Sequence, residues 1–202
     1  MTFRELLSTY MDPDNISIMT LATDGLEESC NILQVVVAKD GQYYDIMVEG
    51  GKPDGVYPFT GISADLYKYS AINATTAWHK LTEIIGPEGS VIGCYNADFV
   101  RPLIERLALK VNKNQPYNFI DIMLLIRCLK NKNIINYQPL QSIKELEAWL
   151  IRRPYSRTLK YSLDSVCENL GIPKPADEIF KAKAKCKMLL ALYQKLLNMS
   201  VI

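Results

Sequence analysis

The chain has 202 residues, 49% of them hydrophobic and 22% charged, which is enough to bury a core and excludes a largely disordered polypeptide. Lysine and arginine total 23 against 22 acids, a formal net charge of +1, so no global field selects nucleic acid or membrane and any basic surface has to be local. The five cysteines, Cys30, Cys94, Cys128, Cys167 and Cys186, are odd in number and scattered, a pattern of reduced thiols rather than of a disulfide framework or zinc site. The start carries an early acid, Glu5, and no long apolar run. No signal peptide or bilayer-spanning segment is therefore expected, and the chain reads as cytoplasmic with no membrane partner.

Residues 1–12 read as a short amphipathic lead-in with Phe3, Leu6, Leu7 and Tyr10 at helical spacing, stopped by Asp12-Pro13-Asp14-Asn15. Ile16 to Thr23 is a first strand and Asp24-Gly25 a turn. Asn31 to Ala38 and Tyr43 to Val48 form an antiparallel hairpin through Lys39-Asp40-Gly41-Gln42. Ser63 is placed to cap one long helix ending near Ile85. Ser90 to Cys94 is a short buried strand in which Gly93 permits close approach. It delivers Tyr95-Asn96 and turns into a helix over 97–109 with Phe99, Leu103 and Leu107 on its apolar side. Phe119 to Ile126 is a buried run containing Asp121. Residues 130–142 read as irregular, Lys144 to Ile151 as a helix and Arg152 to Arg157 as a basic turn. Ser162 caps a compact helix that Gly171 ends. Asp177 to Leu197 reads as a long helix with Ile179, Ala182, Cys186, Leu189, Tyr193 and Leu196 on one face. No repeat or linker interrupts residues 1–202, which read as one domain.

Several segments, in order, resemble the DEDD superfamily of 3′–5′ exonucleases. Thr20-Leu21-Ala22-Thr23-Asp24-Gly25-Leu26 sits where those proteins read Asp-x-Glu-Thr-x-Gly-Leu, and Tyr95-Asn96-Ala97-Asp98-Phe99-Val100 where they read His/Tyr-Asn-Ala-x-Phe-Asp. Phe119-Ile120-Asp121-Ile122-Met123 matches a later Asp-Thr-Leu-like segment. The run from Ser162 to Ile172 is similar to Ser-Leu-x-x-Leu-Cys-x-x-Leu-Gly-Ile, and 176–185 falls on His-x-x-x-x-Asp-Ala-x-Ala-Thr. The resemblance covers residues 15–197. It implies an α/β, ribonuclease H-like three-layer fold: a mixed five-stranded sheet with an antiparallel hairpin and a helical C-terminal half.

In that family four carboxylates hold two metal ions that activate water against a phosphodiester. At the matching positions this chain has Thr20, Ala22, Val100 and Lys181, with Ala176 in place of the catalytic His or Tyr. None of these supplies a carboxylate to a hard divalent ion, so the resemblance implies no metal, no other cofactor and no catalysis. A rescued site would have to use the shifted carboxylates Asp24, Asp98 or Asp177, as a residual metal-dependent 3′–5′ exonuclease.

His79, the only histidine, lies mid-helix beside Trp78 and reads as a surface or packing residue. Asp121 reads as a buried carboxylate held by backbone or side-chain donors. Lys183 and Lys187 read as a solvated outer face, whereas Lys181 and Lys185 share the other side and Lys181 falls in the cleft position. Arg152, Arg153, Arg157 and Lys160, interleaved with Tyr155 and Tyr161, are the densest cationic–aromatic cluster, a pattern of single-strand binding and equally of an exposed turn. The expected function is a catalytically inactive binding or scaffold module. Its partner is single-stranded nucleic acid, through Lys181, Lys185, Arg152, Arg153, Arg157, Tyr155, Tyr161, Tyr95 and Asn96, or a protein.

Overall fold

In the computed structural model the described residues are 2–27, 29–130, 142–151, 161–176 and 178–199. The sheet has five strands: β1 (Ser17–Thr23), β2 (Ile32–Lys39), β3 (Gln42–Met47), β4 (Val91–Cys94) and β5 (Asn118–Asp121), in the order β3-β2-β1-β4-β5. The first three are antiparallel neighbours, and β4 and β5 run parallel to β1. Asp40 and Gly41, both at positive φ, close the β2–β3 hairpin between paired Lys39 and Gln42, as the sequence predicts.

Helices cover both faces of the sheet. On one side α4 (Ala74–Ile85) and α5 (Ala97–Leu109) pack Trp78, Leu81, Val100 and Ile104 against Met19, Val35, Val37 and Ile92. On the other, α1 (Phe3–Leu7), α6 (Ile122–Lys130), α7 (Ile143–Ile151), α8 (Leu163–Asn169) and α9 (Lys181–Leu197) meet Ile18, Leu33, Val36 and Ile120. Neighbouring residues of β1 and β2 go to opposite cores, the period-two alternation of a strand buried on both faces. Two short helices, α2 (Tyr57–Thr60) and α3 (Ala64–Ser70), lie between β3 and α4.

Alpha-9 approaches the sheet closely because its inward stripe begins with small side chains. Ala182 and Cys186 precede the larger Leu189, Tyr193 and Leu196. The Thr20 hydroxyl donates to the Ala182 carbonyl at 2.7 Å, and the Cys186 thiol lies 3.5 Å from the Ile18 carbonyl. Gly93 serves the approach its sequence context implies. A Cβ there would sit 2.8 Å from the Cδ1 atoms of both Ile16 and Ile18.

Three sequence-based boundaries are corrected. The segment after Ser63 is two helices: Ser63 caps only α3, the chain extends at Ala71, and Asn73 caps α4 afresh through the Thr76 amide. The buried run 119–126 is a strand that becomes a helix at Ile122, because the Asp121 carboxylate takes the Met123 amide and starts α6. Alpha-9 begins at Lys181, since Phe180 is extended, which leaves Ile179 outside the helix and 67% exposed. The segment 131–141 and the basic turn 152–160 lie outside the described residues.

Candidate binding cavity at the carboxyl end of β1

The first turn of α5 and the start of α6 are tied together by Asp121. Its side chain is 3% exposed and accepts from the Asn96 amide at 3.2 Å, Ala97 at 2.9 Å and Met123 at 2.9 Å. Burial raises its pKa above the ordinary carboxylate value, and the amides of Ala97, Asn96, Met123 and Leu124 oppose that shift. The backbone-held carboxylate expected from the sequence is therefore present. Asn96 itself adopts a left-handed conformation, φ 67°, to turn β4 into α5.

A cavity of about 430 Å³ opens where the end of β1, α2, the first turn of α5 and the first two turns of α9 converge. Beta-1 and the following turn contribute Leu21, Ala22, Thr23, Gly25 and Leu26. Alpha-2 contributes Phe59 and Thr60, α5 contributes Phe99, and α9 contributes Lys181, Ala182 and Lys185. Gly61 makes the convergence possible. At φ 74° it ends α2, and a Cβ there would lie 2.1 Å from the Ile179 carbonyl oxygen, so only glycine lets α2 sit against the segment leading into α9.

Of the residues singled out in the sequence, Ala22, Lys181 and Lys185 meet at this cavity. Thr20 lies just behind it, with its hydroxyl engaged by α9. Val100 points into the opposite core beside α4, and Phe99 is the α5 residue that reaches the cavity. Ala176 is exposed in the loop before α9 and does not line the cavity.

Tyr95 and Tyr161 pack against the α9-side core. The Tyr95 hydroxyl donates to the Tyr161 carbonyl, and burial, with the nearby Asp121 charge second, raises its pKa. Arg152, Arg153, Arg157, Tyr155 and Lys160 lie outside the described residues. Lys187 is corrected from a solvated lysine. It pairs with Glu178 at 2.7 Å and lies 5.8 Å from the Tyr43 ring centroid. Lys181 and Lys185 are exposed and have no ion-pair partner among the described residues.

A divalent metal pair needs oxygen ligands, chiefly carboxylates. Among the described residues no acid lines the cavity, and two ammonium groups do. Asp24, just past β1, is committed elsewhere. Its oxygens accept from the Asn31 amide at 2.6 Å, the Asn31 side chain at 3.0 Å and the Lys52 amide at 3.0 Å. Desolvation would raise its pKa, but these donors outweigh it and the carboxyl titrates below its usual value. Asp98 is exposed on α5 and Asp177 lies outside the described residues. The described residues do not fit a metal pair, and no group of three His, Cys, Asp or Glu side chains among them is arranged to hold a metal ion.

Among the described residues no thiol lines the cavity. Cys30, Cys94, Cys167 and Cys186 are buried and free, and burial pushes Cys167 up to about 11 and Cys186 up to about 12. His79 is exposed on α4, which packs on the sheet face opposite α9. Sequence reasoning missed Phe59 and Leu26. A bulky apolar residue beside Pro58 and another in the turn after β1 were the available signals.

This sheet order, with helices on both faces and a helical C-terminal half, is the ribonuclease H-like fold of DEDD-type exonucleases. Among solved structures the chain is similar to exonuclease I. A product-bound structure matches with a TM-score of 0.61 at 12% identity over 90% of this chain and 45% of that one. Escherichia coli exonuclease I in complex with a dT13 oligonucleotide matches with a TM-score of 0.63 at 12% identity over 91% and 41%. An exonuclease I structure described as suggesting how processivity is achieved matches with a TM-score of 0.64 at 12% identity, again over 91% and 41%. This chain thus spans less than half the length of those chains, and at such identity the likeness establishes the fold. No family model matches the sequence, and no curated protein matches it. No helix among the described residues is long and apolar enough to cross a membrane.

Proposed function

We propose that this protein is a catalytically inactive module on an exonuclease fold, and that it binds an anionic partner in the cavity at the end of β1. The observation that carries this reading is the lining. Where metal-dependent chemistry needs carboxylates, the cavity presents Lys181 and Lys185 beside Ala22, Phe59 and Phe99. An ammonium repels a divalent cation and attracts phosphate or carboxylate. Ala22 and Lys181, with Thr20 just behind them, then stand for lost ligands, while Val100 and Ala176, the other two positions of the resemblance, lie away from the cavity. Single-stranded nucleic acid is supported as partner by the pairing of lysines with two phenylalanine rings, and a protein by the exposed apolar rim.

The test is incubation of purified protein with labelled single- and double-stranded DNA and RNA in magnesium or manganese. The expected result is no shortening and no saturable rise in melting temperature with either ion, since a bound metal stabilises the native state by mass action. Metal-dependent 3′-directed shortening, abolished by Asp24→Asn or Asp98→Asn, would establish a residual exonuclease and remove the proposal.

A further inference from the structure

We infer that the occupant of this cavity is a protein segment carrying one large apolar side chain with carboxylates within about one helical turn of it. The inference rests on the non-catalytic binding reading above and names the partner class. Its first support is exposed apolar surface. Leu26 and Phe59, which line the cavity, are 90% and 75% exposed, and Ile179, whose carbonyl abuts Gly61 at the end of α2, is 67% exposed. Apolar side chains left in water around a concave site mark a surface that a partner covers.

Charge complementarity identifies that partner. Lys187, further along α9, is neutralised by Glu178, whereas the cavity keeps Lys181 and Lys185 with no acid in its lining among the described residues. The two lysines are one turn apart, about 6 Å along the helix. Two carboxylates on one turn of a helix, or two residues apart on an extended strand, span a similar distance. An apolar side chain on the same face, three or four residues from an acid on a helix or two residues from one on a strand, enters the cavity while the acids meet the ammonium groups.

The same features disfavour a nucleic-acid strand. Single strands gain affinity from many phosphate contacts and from flat rings on which bases stack. Here the described lining holds only two cations, and its two rings, Phe59 and Phe99, are outnumbered by the aliphatic Leu21, Leu26 and Val56, on which a base cannot stack. The whole chain has a net charge of only +1.

The experiment is selection of a displayed random peptide library on the full chain, with the protein carrying Phe59→Ser and Lys181→Glu selected in parallel. Both residues are exposed, and an unchanged melting temperature would show that the variant folds. The wild type should enrich peptides with a large apolar residue flanked by Asp or Glu, and the variant should not. A labelled consensus peptide should then lose about tenfold or more in affinity to Phe59→Ser, and likewise to Lys181→Glu, with Leu109→Ser, an exposed apolar site elsewhere, leaving it unchanged. If a labelled dT13 strand binds and weakens with Lys181→Glu while no acidic–apolar consensus emerges, the partner class is wrong and the binding-module reading stands. If neither peptide nor oligonucleotide binds, both fall.

Discussion

Removing the Asp121 carboxylate tests the account of how β4 and β5 place the start of α5. In Asp121→Ala the amides of Asn96, Ala97 and Met123 lose their acceptor in a site where the parent side chain is 3% exposed. Each buried donor left unsatisfied costs ~1–3 kcal/mol. The loss is partly offset, because burial raises the Asp121 pKa despite its donors, so releasing the buried charge returns some free energy at neutral pH. The net expectation is a loss of ~2–5 kcal/mol in urea unfolding with an unchanged denaturant slope. At this chain length that corresponds to roughly 2–4 °C of melting temperature for each kcal/mol. Asp121→Asn, which keeps one acceptor oxygen, should lose less.

The pH dependence has a definite sign. A carboxyl whose folded pKa lies above its unfolded value binds its proton more tightly in the folded state. Its contribution to stability is therefore fully present below the unfolded value and is lost as pH rises through the folded one. The deficit of Asp121→Asn relative to wild type should be largest in acid and shrink as pH rises towards neutrality. Hydrogen exchange at the Asn96, Ala97 and Met123 amides should quicken in both variants. A deficit for Asp121→Ala below about 1 kcal/mol, or one that grows steadily with pH, would refute the assignment of Asp121 as the tie between the two helices.

Thr20→Val should cost about 1 kcal/mol, the net value of the hydroxyl bond to the Ala182 carbonyl, read as a shift of the urea midpoint. A neutral or stabilising result would mean that this bond does not hold α9 on β1. Gly93→Ala places a Cβ 2.8 Å from the side-chain ends of Ile16 and Ile18 and should cost ~1–3 kcal/mol by overpacking. Ile18→Val in the same chain should recover part of that loss, and strictly additive costs in the double variant would show that the two groups do not meet.

Much of the framework follows from local chemistry and is legible in order along the chain. Asp40-Gly41 accepts the positive φ of a two-residue hairpin, Ser162 caps its helix through the Ser165 amide, and the Ala182-to-Leu196 stripe has the period of a helix laid on a sheet. Asp121 was legible as a held carboxylate because a charge inside an apolar run has to find donors. What periodicity does not carry is the point where competing caps divide a segment. Ser63 and Asn73 are both good caps, and only the extended backbone at Ala71 decides that both are used. On a helix one residue swings the side chain by about 100°, and that angle sends Val100 into the core and turns Phe99 to the cavity, although both fit an apolar spacing. The cavity is more purely tertiary. Leu26, Phe59, Phe99 and Lys181 are remote in sequence, and they meet because Gly61 lets α2 press on the segment before α9 while the Thr20 hydroxyl and small Ala182 seat α9 on β1.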